Sequence, residues 1–186
     1  MNAGVVQVDA DPAVWLTGPR DPAGAQVWAD AALQAVASDF GLPEHSPEYA
    51  YLQDVLTAFA TTDLGSAFRF LRMRSLADPP LVARLDVLPH DPAAPDPVLI
   101  YDDDLAWYDH APKVVDVAPA LGLRRAVRVY VDDGLRVVVR HHRRVLGGAA
   151  DVIMTCTGFD LMAVGTAMGD LDQLAASVQV SVLDGT

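Results

Sequence analysis

Apolar positions recur at helical spacing early in the chain and at every second residue in its middle. Val27, Ala31, Leu33, Val36, Ala37 and Phe40 follow the three-and-four rhythm of an amphipathic helix. Asp21-Pro22 supplies a cap and a preset first turn, and Gly41 supplies the stop. Ser46-Pro47-Glu48 repeats the start signal. Tyr51, Leu52, Val55, Leu56 and Phe59 then form the stripe of a second helix, closed by Thr61-Thr62-Asp63 and Gly65. Ahead of both, Val5 to Leu16 has room for one short strand before the turn chemistry of "TGPRDPAG".

After Ser66 the period changes to two. Phe68, Phe70 and Arg72 alternate with Arg69, Leu71 and Met73, "ADPP" turns the chain, and "LVARLDVLP" returns as the second strand of a hairpin. "HDPAAPDP" is too proline-rich for helix or strand. "VLIY" predicts a short apolar strand, and the stretch from Asp102 to Gly122 is irregular or holds one short helix. "ADVIMTCTG" is apolar on both faces, which predicts a central strand. Leu161, Val164, Met168, Leu171, Leu174, Ala175 and Val178 suit one long helix. Gly165 and Gly169 weaken that helix by up to about 1 kcal/mol each relative to alanine, and Asp170 capping a second, shorter helix is the alternative. "VQVSVL" is either a last strand or the helix end.

The segment "RRAVRVYVDDGLRVVVRHHRR" fixes its own register. A two-residue Asp133-Gly134 loop would pair Val131 with Arg136 and Val127 with Arg140, mixing polar and apolar residues on both faces. A three-residue Asp132-Asp133-Gly134 loop pairs Val129 with Val137 and Val127 with Val139, leaving Arg128, Tyr130, Arg136, Val138 and Arg140 on the other face. Burial of one face selects the second register, because a one-residue slip exchanges every side chain between core and solvent. The fold class that follows is α+β, a mostly antiparallel sheet packed against N-terminal helices and a C-terminal helix. The 186 residues are read as one domain, with residues 1–66 helical and 67–186 forming the sheet and last helix.

Composition narrows the function classes. The formal net charge of −12 disfavours binding to nucleic acid or anionic membrane. Positive charge is concentrated: Arg20 is the one Lys or Arg before Ser66, basic residues dominate from Arg124 to Arg144, and none follow. Cys156 is the sole cysteine, which excludes an intrachain disulfide and a cysteine zinc cluster. With no basic n-region, h-region or membrane-length apolar run, the expected location is the cytoplasm. The Ala-, Arg- and Asp-rich usage fits a GC-rich bacterial genome.

Two segments carry candidate chemistry. Arg128, Tyr130, Arg136, Arg140, His142 and Arg144 are expected to project from one face of the hairpin. Arginine forks match carboxylates and phosphates, so this face is either a docking surface for an acidic partner or phosphate-bearing ligand, or the solvated side of a sheet. His141 and His142 point to opposite faces and do not chelate one ion. Asp102 to His110 offers four aspartates and a histidine for a hard cation or for acid–base work, but lacks the glycine and terminal glutamate of a calcium loop. No phosphate loop, dinucleotide fingerprint or nucleophile elbow occurs, and no catalytic residue, metal ligand or cofactor is assigned. Cys156 reads as a small buried hydrophobe.

"GLRRAVRVYVDDGLRVVVRHHRRVLGGAADVIMTCTGFD…LDQLAASVQV" resembles the closing portion of PsbP-like domains, over Leu121 to Val182. The resemblance lies in the order of elements: a glycine-led strand, a hairpin, an apolar strand and an acid-started helix. It implies a mainly non-catalytic binding or assembly role, without transferable site residues; the order of helices around the sheet also resembles small secretion-chaperone-like domains. The expected function is a binding or accessory domain contacting a protein with an acidic surface. The alternatives are a small enzyme or ligand binder using Asp102–His110, and a subunit of a symmetric homo-oligomer.

Overall fold

The computed structural model describes residues 4–62, 68–99, 113–131 and 134–182. In chain order the elements are β1 (Gly4–Val8), β2 (Trp15–Thr17), α1 (Ala25–Asp39), α2 (Pro47–Thr61), β3 (Phe68–Arg72) and β4 (Leu81–Pro89). Then follow β5 (Val115–Ala118), β6 (Leu123–Tyr130), β7 (Arg136–Val145), β8 (Ala150–Gly158), α3 (Leu161–Ser177) and β9 (Val178–Val182). Seven strands form one antiparallel sheet in the order β2-β3-β4-β8-β7-β6-β5, and β1 pairs with β9 in a separate two-stranded ribbon. The α+β architecture is that read from the alternation. No helix among the described residues is long and apolar enough to cross a membrane.

The β6–β7 hairpin takes the register that separates the faces: Val129 pairs with Val137 and Val127 with Val139. Gly134 has a φ of +124°, a region open to glycine at little cost. β8 lies between β4 and β7, the most central position of the sheet, as expected, although its face opposite α3 carries Asp151, Thr155 and Thr157. Cys156 on β8 is fully buried, and burial pushes its thiol up to about 12 against the opposing pull of Arg72.

One face of the sheet packs on α3. Phe68, Phe70, Leu85, Val137, Val139 and Met154 meet Val164, Ala167, Leu171 and Leu174 there. Asp160 caps α3 by accepting from the backbone N–H groups of Met162 and Ala163, and the helix runs unbroken through Gly165 and Gly169. Asp170 caps nothing; it accepts from Arg72 Nε at 2.8 Å, while Asp172 accepts from His141 Nε2 at 2.7 Å and also pairs with Arg125. These carboxylates fix the helix to the sheet on the side the apolar stripe already chooses.

α1 and α2 pack on one end of the opposite face, over Leu16, Leu71 and Val82. Ser46 caps α2 by accepting from the Tyr49 N–H, and Asp21 caps a 3-10 turn leading into α1. The buried stripe of α1 is Ala25, Ala29, Leu33, Val36 and Ala37, whereas Val27 and Phe40 are exposed. Leu33, Val36 and Ala37 meet α2 as expected, but in the first half of α1 it is Ala25 and Ala29, packed with Ala60, that are buried in place of Val27.

Other differences are local. Val5 to Leu16 holds all but the first residue of β1 and begins β2 rather than holding a single strand. Val98 and Leu99 belong to a 3-10 turn, Pro97–Leu99, instead of a strand. The stretch expected to be irregular contains β5. "VQVSV" is a strand, held by pairing with the far end of the chain.

Gly158 marks the closest approach of α3 to the sheet. A Cβ there would lie 2.4 Å from Val164 Cγ2 and 2.9 Å from Leu81 Cδ2. Gly158→Ala is expected to lower stability by about 1–3 kcal/mol through overpacking, read as a fall in the urea midpoint at unchanged slope. Restoration by Gly158→Ala with Val164→Ala would locate the clash; an unchanged midpoint in the single variant would refute it.

Candidate functional site

Arg128, Tyr130, Arg136, Arg140, His142 and Arg144 do share the face opposite α3, but the structure divides them. His142 and Arg144 belong to a buried polar clasp at one end. Tyr130, Arg136 and Arg140 surround a small cavity at the other. Arg128 is buried at the margin, and it has partners of its own. The expectation that all six project outward fails for Arg128, Tyr130 and His142, which are 9%, 1% and 3% exposed. The cause is the connection after β4: Val98 sits fully buried in a cluster with Ala126, Tyr130 and Val138 and covers that part of the sheet.

The clasp centres on Asp151, opposite Arg144 in the β7–β8 ladder. Its Oδ1 accepts from His142 Nε2 at 2.7 Å and from Arg144 Nε at 3.1 Å, and its Oδ2 accepts from His90 Nδ1 at 2.8 Å. On the other side of the ring, Arg124 donates to His142 Nδ1 at 2.9 Å and to both oxygens of Asp96, at 2.7 and 2.8 Å. Arginine has no acceptor, so His142 Nδ1 accepts and the proton sits on Nε2. Burial alone would push the Asp151 carboxyl up, but the bonds from His142, His90 and Arg144 outweigh it and bring it down to about 2. Both nitrogens of His142 and both oxygens of Asp151 are occupied. The clasp therefore ties the proline-rich connection to the sheet and leaves His142 no nitrogen for a substrate. Among the described residues no three His, Cys, Asp or Glu side chains are grouped to hold a metal ion.

No protein-family model matches this chain, and no curated protein does. Among solved structures, the crystal structure of LpqN involved in cell envelope biogenesis of Mycobacterium tuberculosis aligns with a TM-score of 0.47 at 12% identity, over 97% of this chain and 85% of that one.

The open end of the face is different in kind. Arg84, Arg136, Arg140, Thr155 and Thr157 surround a cavity of about 120 Å³, with Tyr130 and Val138 completing its wall. The Arg136 guanidinium lies 4.5 Å from the centre of the Tyr130 ring, which holds it by a cation–π contact. Arg140 Nε donates to Thr155 Oγ1 at 3.4 Å, and Arg84 and Arg140 have further partners within the protein. Arg84 and Thr157 also line a second cavity of about 230 Å³, together with Phe59, Val82, Thr62 and Arg69. Arg69 is committed to structure there: it donates to the carbonyls of Phe59, Ala60 and Thr62 at the end of α2, and to that of Pro19. The two cavities adjoin on the sheet face, sharing Arg84 and Thr157 in their linings.

Sequence reasoning missed Arg84, Thr155 and Thr157, which come from β4 and β8. The signal was present in the alternation of "LVARLDVLP" and "DVIMTCTG", which sets Arg84, Thr155 and Thr157 on the sides of their strands away from Ala83, Leu85, Met154 and Cys156. Only the pairing of Arg84 with Thr155 and of Arg140 with Thr155 unites them with the hairpin. The Asp102–His110 segment lies outside the described residues.

Proposed function

We propose that this chain is a non-catalytic binding domain that holds an acidic segment of a partner protein in the groove across its arginine face. One observation carries the reading. In a protein of net charge −12, the described residues lining the two adjoining cavities include four arginines, Arg69, Arg84, Arg136 and Arg140, and no carboxylate. A local positive field of that kind attracts and orients an acidic surface despite the opposing net charge. The PsbP-like pattern of Leu121–Val182 agrees with it, since such domains mainly bind or assemble.

The test is fluorescence anisotropy with a labelled glutamate-rich peptide. Binding is expected to weaken with added salt and to fall at least about tenfold in the Arg136→Gln, Arg140→Gln double variant, with an unchanged far-ultraviolet circular dichroism spectrum. A folded double variant that binds the peptide as tightly as the native protein would overturn the reading.

A further inference from the structure

The groove is chemically two-sided. Resting on the acidic-segment reading above, we infer that its ligand is an extended peptide carrying an Asp or Glu two places from a Leu or Phe. The carboxylate binds beside Arg136 and the threonines, and the apolar side chain enters the cavity under Phe59.

The polar half is built for one anion. Arg136 is held by Tyr130 through its ring face, which leaves the edge of the guanidinium to donate. Thr155 Oγ1 accepts from Arg140, so its own O–H is left to donate elsewhere, and the Thr157 hydroxyl stands where the two cavities meet. A cavity of about 120 Å³ lined this way takes a carboxylate and little more.

The second half has another character. Phe59 and Val82 contribute apolar walls, and the Arg69 guanidinium, 5.2 Å from the centre of the Phe59 ring, spends its N–H groups on the carbonyls at the end of α2. At about 230 Å³ it has room for one large apolar side chain. A purely acidic partner would leave this half unused.

Spacing follows from the sheet. Val138, Thr157 and Val82 lie level with one another across β7, β8 and β4, a span of about 10 Å in two interstrand steps. In an extended peptide, side chains two places apart point the same way and start roughly 7 Å apart. Side-chain reach supplies the remainder.

The experiment uses labelled short Gly/Ser peptides with Asp and Phe two places apart, against versions with Asp→Asn, with Phe→Ser, and with the two residues moved far apart. The paired peptide is expected to bind at least about tenfold tighter than each of the other three. Arg136→Gln should abolish the preference for Asp over Asn and keep the preference for Phe over Ser, a split that a merely unfolded variant cannot give. Equal binding of the Phe→Ser peptide would overturn this inference and leave the acidic-segment reading standing. Failure of every peptide, including the glutamate-rich probe, would overturn both. Tight binding of dodecanoate with no binding of the paired peptide would also overturn it, in favour of an amphiphilic acid.

Discussion

Replacing Asp151 with alanine is expected to lower stability by about 3–5 kcal/mol, because it leaves buried His142 and half-buried His90 without their shared acceptor, while exposed Arg144 turns to water. Asp151 is 4% exposed, and it is the one group that joins His90, His142 and Arg144. Urea denaturation at neutral pH measures the loss; a loss below about 1 kcal/mol would mean that water replaces the carboxylate at little cost. The pH dependence has a definite sign. The folded value of about 2 lies below the ordinary value of 3.8, so the stabilisation is present above 3.8 and disappears as pH falls through 3.8 toward 2. The gap between the two values corresponds to about 2 kcal/mol. Asp96 and Asp172 are held low for related reasons and add to the same acid limb. Asp151→Asn should therefore flatten that limb without removing it.

The second large effect is expected from Leu171→Ala, at about 2–5 kcal/mol. Leu171 is fully buried at the centre of the cluster that joins α3 to the sheet. With Gly165 and Gly169 in its length, α3 owes its stability to this packing more than to intrinsic propensity. Met168 packs against the same cluster but is only partly buried. Met168→Ala is thus expected to cost clearly less, and equal losses at the two positions would show that α3 does not depend on a buried seam.

These outcomes bear on what the amino-acid order discloses. The hairpin register and the central position of β8 were legible because alternation reports directly which side chains share a face. It does not report what lies on top of that face. Tyr130 and His142 were expected in solvent because nothing nearby in sequence covers them; from the proline-rich connection, Val98 packs against Tyr130 and Asp96 reaches to 4.0 Å from His142. The same gap hid Asp151, which reads as one more polar residue until the ladder sets it opposite Arg144. Arg84 escaped for the mirror reason: the basic cluster is dense in sequence only on the hairpin, while the cavity takes one wall from β4. β5 was missed because its four residues follow Lys113-Val114 and precede Pro119, with too few alternations to declare a strand.

The pairing of β1 with β9 has a consequence for how this fold is made and where it can be placed. Gly4 lies opposite Val182, so the first and last strands meet only after nearly the whole chain has been looped between them. Closing a loop of that length carries a large entropic cost, so the ribbon is expected to form late in folding. Once it is closed, the backbone arrives and departs at a single point on the surface. A body with that property can be spliced into a surface loop of another protein, or have its ends joined and be reopened elsewhere, with the seven-stranded sheet left intact.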